Sequence, residues 1–188
     1  MVRIRVRFRV SWSCDGKRSF AEGTVKQVCF FHLRRLRPMR ARLGRDVTLS
    51  LVTALVISRL DCCNCIYAGL PATTLEPLQR VLHAAAWLIN GLRPHDHVTS
   101  ALKELHWLLI KQRVDYKVCF LVHKVTVHQA PSYLTGMLTA VTEVPSLASL
   151  RDASNGNYVI PRTCLKFGER AFSVAAREHG TDCQQNSS

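Results

Sequence analysis

Apolar residues recur along this chain with two periods in turn. Over residues 2–10 they alternate one by one: Val2, Ile4, Val6, Phe8 and Val10 fall on one side, and Arg3, Arg5, Arg7 and Arg9 on the other. A two-residue period predicts a strand, and a basic strand could lie along a phosphate backbone. Val-Arg repeats are also what a GTGCGT-like DNA repeat encodes. Residues 1–18 are therefore expected to be a basic, low-complexity arm rather than part of a packed sheet.

From Phe20 the period becomes helical. Val25, Cys29, Leu33 and Leu36 share one stripe, and Pro38 ends or kinks that helix. A second predicted helix starts near Asp46, a favourable N-cap, and ends near Gly69. Leu49, Leu51, Val52, Leu55, Val56 and Leu60 make it apolar almost all round, which predicts a central position. A third opens on Thr73 and Glu76, spaced as a capping box. It carries Leu78, Val81, Leu82, Ala85 and Ile89 and closes at Asn90-Gly91. Thr99 is expected to cap a fourth, short helix through Leu105. A fifth runs roughly from Ile110 to His128, with Val114, Val118, Leu121, Val122 and Val125 facing inward and Pro131 stopping it.

Beyond Tyr133 the texture turns to Ser, Thr, Gly, Asn and Pro. Residues 135–176 are expected to be loop and hairpin, with short β-like pieces at residues 157–160 and 171–175. Residues 177–188 are polar and aperiodic and are expected to be disordered. The expected fold is mainly α: a bundle of about five helices over residues 19–134, followed by a short irregular β-containing segment.

Composition adds a core and a charge. Apolar residues make up 47% of the 188, enough to build a buried interior. The formal net charge of +13 is concentrated at one end. Residues 1–45 hold thirteen Arg and Lys against Asp15 and Glu22, while the rest of the chain is almost balanced. Within that end, Arg34, Arg35, Arg37, Arg40, Arg42 and Arg45 crowd into a stretch with no acid before Asp46. Such a run points to a polyanion, with nucleic acid ahead of an anionic membrane surface.

The best apolar run, residues 47–57, covers about half of the ~20 residues a membrane helix needs. No membrane partner is expected. The eight cysteines are expected to be mostly free thiols in an intracellular compartment, cytoplasmic or nuclear.

Cys62, Cys63 and Cys65, with His95 and His97 downstream, supply enough ligands for zinc. They sit in a helical pattern rather than a knuckle turn, where cysteine usually serves as a small apolar filler. No Gly-rich phosphate loop, Ser elbow or His-Glu helix motif is present. Clustered acids for two-metal chemistry are missing: no Asp-Asp, Asp-x-Asp or Glu-x-Asp occurs. Trp107 could stack on a base, but its expected role is to anchor a helix junction.

Several strings together resemble the reverse-transcriptase protein of LINE-type, non-LTR retrotransposons, in its C-terminal part. They are Cys29-Phe30-Phe31-His32-Leu33-Arg34-Arg35-Leu36-Arg37, Ser58-Arg59-Leu60-Asp61 with Cys63-Asn64, and Gly69-Leu70-Pro71. Leu78-Gln79-Arg80-Val81 with Ala84-Ala85-Ala86, and Glu104-Leu105-His106-Trp107-Leu108 with Gln112-Arg113, follow in order. Ala130-Pro131 with Tyr133-Leu134, and Arg170-Ala171-Phe172-Ser173-Val174-Ala175, complete the set.

The resemblance implies the thumb and the helical segment after it, which hold the template–primer backbone beyond the palm. It implies the six arginines as the phosphate clamp. Arginine forks grip phosphates without reading sequence, so binding to RNA or DNA backbone should be non-specific and salt-sensitive.

The chain departs from the family in telling places. The catalytic Ala-Asp-Asp motif, which binds magnesium in the parent enzyme, lies upstream of the resemblance and is absent here. Cys62 replaces a usual Tyr, Trp87 a usual basic residue and Leu109 a usual Pro; these read as drift. The family continues after Ala-Phe-Ser-Val-Ala with a Trp-Asn-x-Leu-Pro motif, whereas residues 179–187 read His-Gly-Thr-Asp-Cys-Gln-Gln-Asn-Ser. One permitted coding of these, CATGGAACAGACTGCCAACAGAACTCC, yields Trp-Asn-Arg-Leu-Pro when read two bases on. A frameshift is therefore expected to have put the last dozen or so residues out of frame.

The expected function is that of a truncated RNA-directed DNA polymerase fragment. It would have no catalysis, cofactor or small-molecule substrate of its own, and would retain non-specific nucleic-acid binding. The alternatives are a small zinc-stabilised interaction module and a translated genomic relic without function. Nothing in the pattern specifies an oligomeric state.

Overall fold

The computed structural model describes residues 18–62, 64–93, 96–144, 158–159 and 172–176. Helix α1 spans Arg18–Leu36, with Cys29, Leu33 and Leu36 buried and Val25 packed beside them. The apolar stripe thus lands where its period places it. The second half of this helix packs on the bundle through Cys29, Leu33 and Leu36. Pro38, which has no N–H to donate, sits in a 3₁₀ turn at Arg37–Met39 that redirects the chain.

Helix α2 spans Arg40–Val52 and is broken at Gly44, whose φ of 74° lies in the region that favours glycine. Thr48 Oγ1 donates to the Gly44 carbonyl at 2.6 Å, so the break is braced from the next turn. Asp46 is therefore not the N-cap expected there; Gly44 supplies the punctuation instead. A π-helical turn, Thr53–Ile57, leads into the short α3, Ser58–Asp61. Val52, Val56, Ile57 and Leu60 are buried, which bears out the central position. The helix does not run on to Gly69. Cys62 is extended, and a 3₁₀ turn, Asn64–Tyr67, follows. Tertiary partners for Asp61 and Asn64 on a later helix override the local helical pattern.

Helix α4, Ala72–Asn90, is the hub. Its stripe of Leu75, Leu78, Val81, Leu82, Ala85, Ala86 and Ile89 is buried. The expected capping box is not formed. Pro71 occupies the cap position, so Thr73 and Glu76 lie inside the helix, and Glu76 pairs with Arg80 one turn on. The other end is as expected. Gly91 takes a left-handed conformation (φ 69°, ψ 24°), and the Leu92 N–H returns to the Trp87 carbonyl at 3.0 Å, a Schellman closure.

Helix α5, Val98–Glu104, is preceded by an extended His97; Thr99 lies within the helix and does not cap it. Helix α6, Ile110–Thr126, buries Ile110, Val114, Val118, Val122 and Val125. Gln79 Oε1 on α4 accepts the Ile110 N–H at 2.9 Å, satisfying an orphan donor at the start of α6. A short α7, Ser132–Thr135, follows.

The fold is mainly α, a helical bundle, as the periodicity predicts. The β feature among the described residues is an antiparallel bridge between Ala140 and Tyr158. Phe172–Ala176 is helical rather than β-like. Its Ala175 and Ala176 are buried with Val114, Val118, Val122, Val125, Ala68 and Leu138 in a second core cluster. The first cluster joins α1 to α5 and Ile110, with Trp107 packed at its edge, the anchoring role expected of it. The remaining residues of the arm, the 135–176 segment and the 177–188 tail lie outside the described residues.

Candidate nucleic-acid interface

The arginine run straddles the end of α1, the 3₁₀ turn and the start of α2. An α-helix gives Cys29, Leu33 and Leu36 to the core and turns Arg34 and Arg35 outward. These two also stand in the last turn of α1, where the helix dipole favours cations. Arg37 and Arg42 are exposed on the turn and on α2. None of these four pairs with a carboxylate among the described residues. The Arg35 guanidinium lies 5.6 Å from the centre of the exposed Phe31 ring.

Arg40 and Arg45 are placed differently. Arg40 Nη2 donates to the Ile89 carbonyl at 3.2 Å, capping the C-terminal end of α4, and its guanidinium covers Gly91. Arg45 Nη2 donates to Glu104 at 2.5 Å and to Asn90 Oδ1 at 3.3 Å. Asn90 Nδ2 donates in turn to the other Glu104 oxygen at 3.0 Å. Two of the six arginines thus have intramolecular work, tying α2 to α4 and α5.

The field of the run is felt by its neighbours. His32 is held below its ordinary pKa, first by burial and then by the Arg59 and Arg35 guanidiniums, so it adds no charge at neutral pH. Burial pushes the Cys29 thiol up to about 11, against the opposing pull of Arg59. This thiol is an inert core group rather than a nucleophile.

Between the end of α1 and the C-terminal half of α4 lies a groove of about 550 Å³. Arg34, Arg37 and Arg40 line it together with Phe30, Trp87 and Leu88. A smaller hollow of about 240 Å³ shares Phe30 and Arg34 with it and reaches Lys26.

The chain matches no protein-family model, no curated protein and no solved structure. The arrangement of side chains therefore carries the functional argument.

Of the proposed zinc ligands, Cys62 is exposed, Cys65 is half-buried with its thiol pushed up chiefly by burial, and His97 is exposed just ahead of α5. Cys63 and His95 lie outside the described residues. Among the described residues, no three His, Cys, Asp or Glu side chains converge as a metal site. No helix among them is long and apolar enough to cross a membrane.

Two features escaped the sequence reading. Trp87 reads as drift in the chain, yet in space it faces the arginine groove; its replacement of an expected basic residue was the available signal. On α6, Tyr116 and Phe120 stack at 6.3 Å between ring centres. Lys117 and Lys124 lie 5.8 and 5.0 Å from the Phe120 ring, forming a second cationic and aromatic face. The spacing 116, 120, 124 is one helical stripe, exposed at Tyr116 and Phe120.

Proposed function

We propose that this chain is a non-catalytic fragment of a retroelement RNA-directed DNA polymerase that grips nucleic-acid backbone without reading its sequence. One observation carries the reading. Arg34, Arg35, Arg37 and Arg42 stand at the junction of α1 and α2, exposed and without an acid partner among the described residues, and Arg34 and Arg37 line one groove. Solvated guanidiniums in such a group bind phosphates bidentately and release counterions from a polyanion. Arg40 and Arg45 support the junction that presents them and add to its field. The resemblance to the thumb region of non-LTR reverse transcriptases supplies the same role from the sequence side, and these 188 residues hold no Asp-Asp, Asp-x-Asp or Glu-x-Asp cluster to grip a catalytic metal pair.

Replacing Arg34, Arg35, Arg37 and Arg42 with Gln tests the reading by retention of labelled RNA–DNA hybrid on a filter at low salt. Retention should fall at least tenfold, and the salt dependence of what remains should flatten. Unchanged retention would remove the proposal. Nucleotide incorporation on a primed template by the isolated chain would equally overturn the non-catalytic assignment.

A further inference from the structure

We infer that the groove between α1 and α4 takes an unstacked nucleotide of a single-stranded nucleic acid, its base against Trp87 and its flanking phosphates at Arg34 and Arg37. This rests on the nucleic-acid reading above and adds a preference for single strands that a purely cationic surface would not have.

The groove has the two halves such a ligand needs. Its floor is apolar: Phe30 from α1 and Leu88 from α4 face the same hollow as Trp87. Its rim is cationic: Arg34 and Arg37 are exposed, and no acidic residue lines it among the described residues. A volume of about 550 Å³ lies within the ~300–1,000 Å³ range of small-ligand sites. A flat ring carrying a phosphate fits an apolar slot beside guanidiniums. An acidic peptide would satisfy the rim and leave the floor unused.

Trp87 is held for this role. Its indole Nε1 donates to the Asp96 carbonyl at 3.2 Å, so its one polar atom is already satisfied and the ring is fixed. It is half-buried rather than sealed in the core. Arg40 adds a second pointer. One arm of its guanidinium donates to Ile89, and its buried Nε has no acceptor among the described residues. Arg40 therefore adds a positive charge to the groove wall beside Arg34 and Arg37. In a duplex the base faces are already stacked and cannot enter the slot, whereas a single strand presents every base to an aromatic platform.

Ultraviolet crosslinking of a bromouridine-substituted oligonucleotide to the unmodified full chain tests this without any mutation. The crosslinked peptide should contain Trp87 or Phe30. In parallel, Trp87→Leu should lower affinity for oligothymidylate about tenfold, the size expected for one lost base stack, while duplex affinity stays the same. Thermal melting checks that the variant folds; should it not, the crosslink map alone decides. Crosslinks confined to other sites, or equal binding of single strand and duplex, would overturn the groove and leave the arginine surface standing. Displacement of the oligonucleotide by an oligoglutamate of equal charge and equal affinity would also overturn it. Binding of neither nucleic acid would bring down both readings.

Discussion

Arg113 Nη1 donates to both carboxylate oxygens of Asp61, at 2.8 and 2.7 Å, and fastens the first turn of α6 to the end of α3. Arg113 Nε donates to the Leu108 carbonyl at 3.0 Å, and the Arg113 carbonyl accepts a long bond from the buried Asn64 at 3.4 Å. One side chain thus fixes the point where the helix leaves its path at Cys62. The Arg113 side chain is only 14% exposed, that of Asp61 42%. The coupling between them should exceed that of a fully solvated pair and fall short of a buried one, at about 1 kcal/mol. A double-mutant cycle of Asp61→Ala and Arg113→Ala, read by urea unfolding, measures it. Additive effects would show that the pair contributes shape and not energy.

Gly91→Ala should destabilise the chain by about 1–2 kcal/mol. The left-handed conformation itself disfavours a Cβ by about 1 kcal/mol. A Cβ there would also stand 2.4–2.6 Å from the Arg40 guanidinium, which would have to leave the Ile89 carbonyl it caps. The second part disappears if Arg40 is already Ala. The cost of Gly91→Ala in an Arg40→Ala background should therefore drop to the conformational part alone, as thermal melting would reveal.

The elements that could be read from the sequence are those set by local chemistry. The α1 stripe through Cys29, Leu33 and Leu36, the valine stripe of α6 and the glycine closure of α4 all follow from residues within a few turns of one another. The elements that could not be read are those set by distant partners. The exit at Cys62 depends on Arg113, 52 residues beyond Asp61. The division of the arginine run depends on Ile89, 49 residues beyond Arg40, and on Glu104, 59 residues beyond Arg45. Six arginines look alike in sequence, and only the fold shows which have partners. Thr73 and Glu76 match a capping box in spacing, but Pro71 takes the cap position ahead of them.

That division has its own consequence. Arg34→Gln with Arg37→Gln should weaken nucleic-acid binding at low salt and cost less than about 1 kcal/mol of stability, because Arg34 gives up only its favourable place at the end of the α1 dipole and neither side chain has a hydrogen bond or ion pair among the described residues. Arg40→Gln with Arg45→Gln should lower stability by about 1–2 kcal/mol, since one loses a helix-end hydrogen bond and the other a solvated ion pair. Filter retention and thermal melting, run on both pairs, separate the two groups. Equal loss of binding with equal loss of stability would mean that the run is one surface and not two.

The buried Cys29 thiol predicts an alkaline limit to stability. Burial raises it from the ordinary value of 9.0 to about 11. Between those values the unfolded chain gives up the proton while the folded chain keeps it. The folded state then binds more protons, so stability must fall as pH rises. From one thiol the loss between pH 8 and pH 10 is about 1 kcal/mol. Lysines and tyrosines also titrate in that range, so the quantity to measure is a difference. Urea unfolding at the two pH values should show a smaller loss for Cys29→Ala than for the parent chain, by about that amount, even though the variant is less stable at pH 8 from its small cavity. Iodoacetamide gives an independent check. The exposed Cys62 should be modified in the native protein, and Cys29 only after urea is added. Rapid native labelling of Cys29 would mean that α1 lifts from α4 far more often than its buried stripe allows.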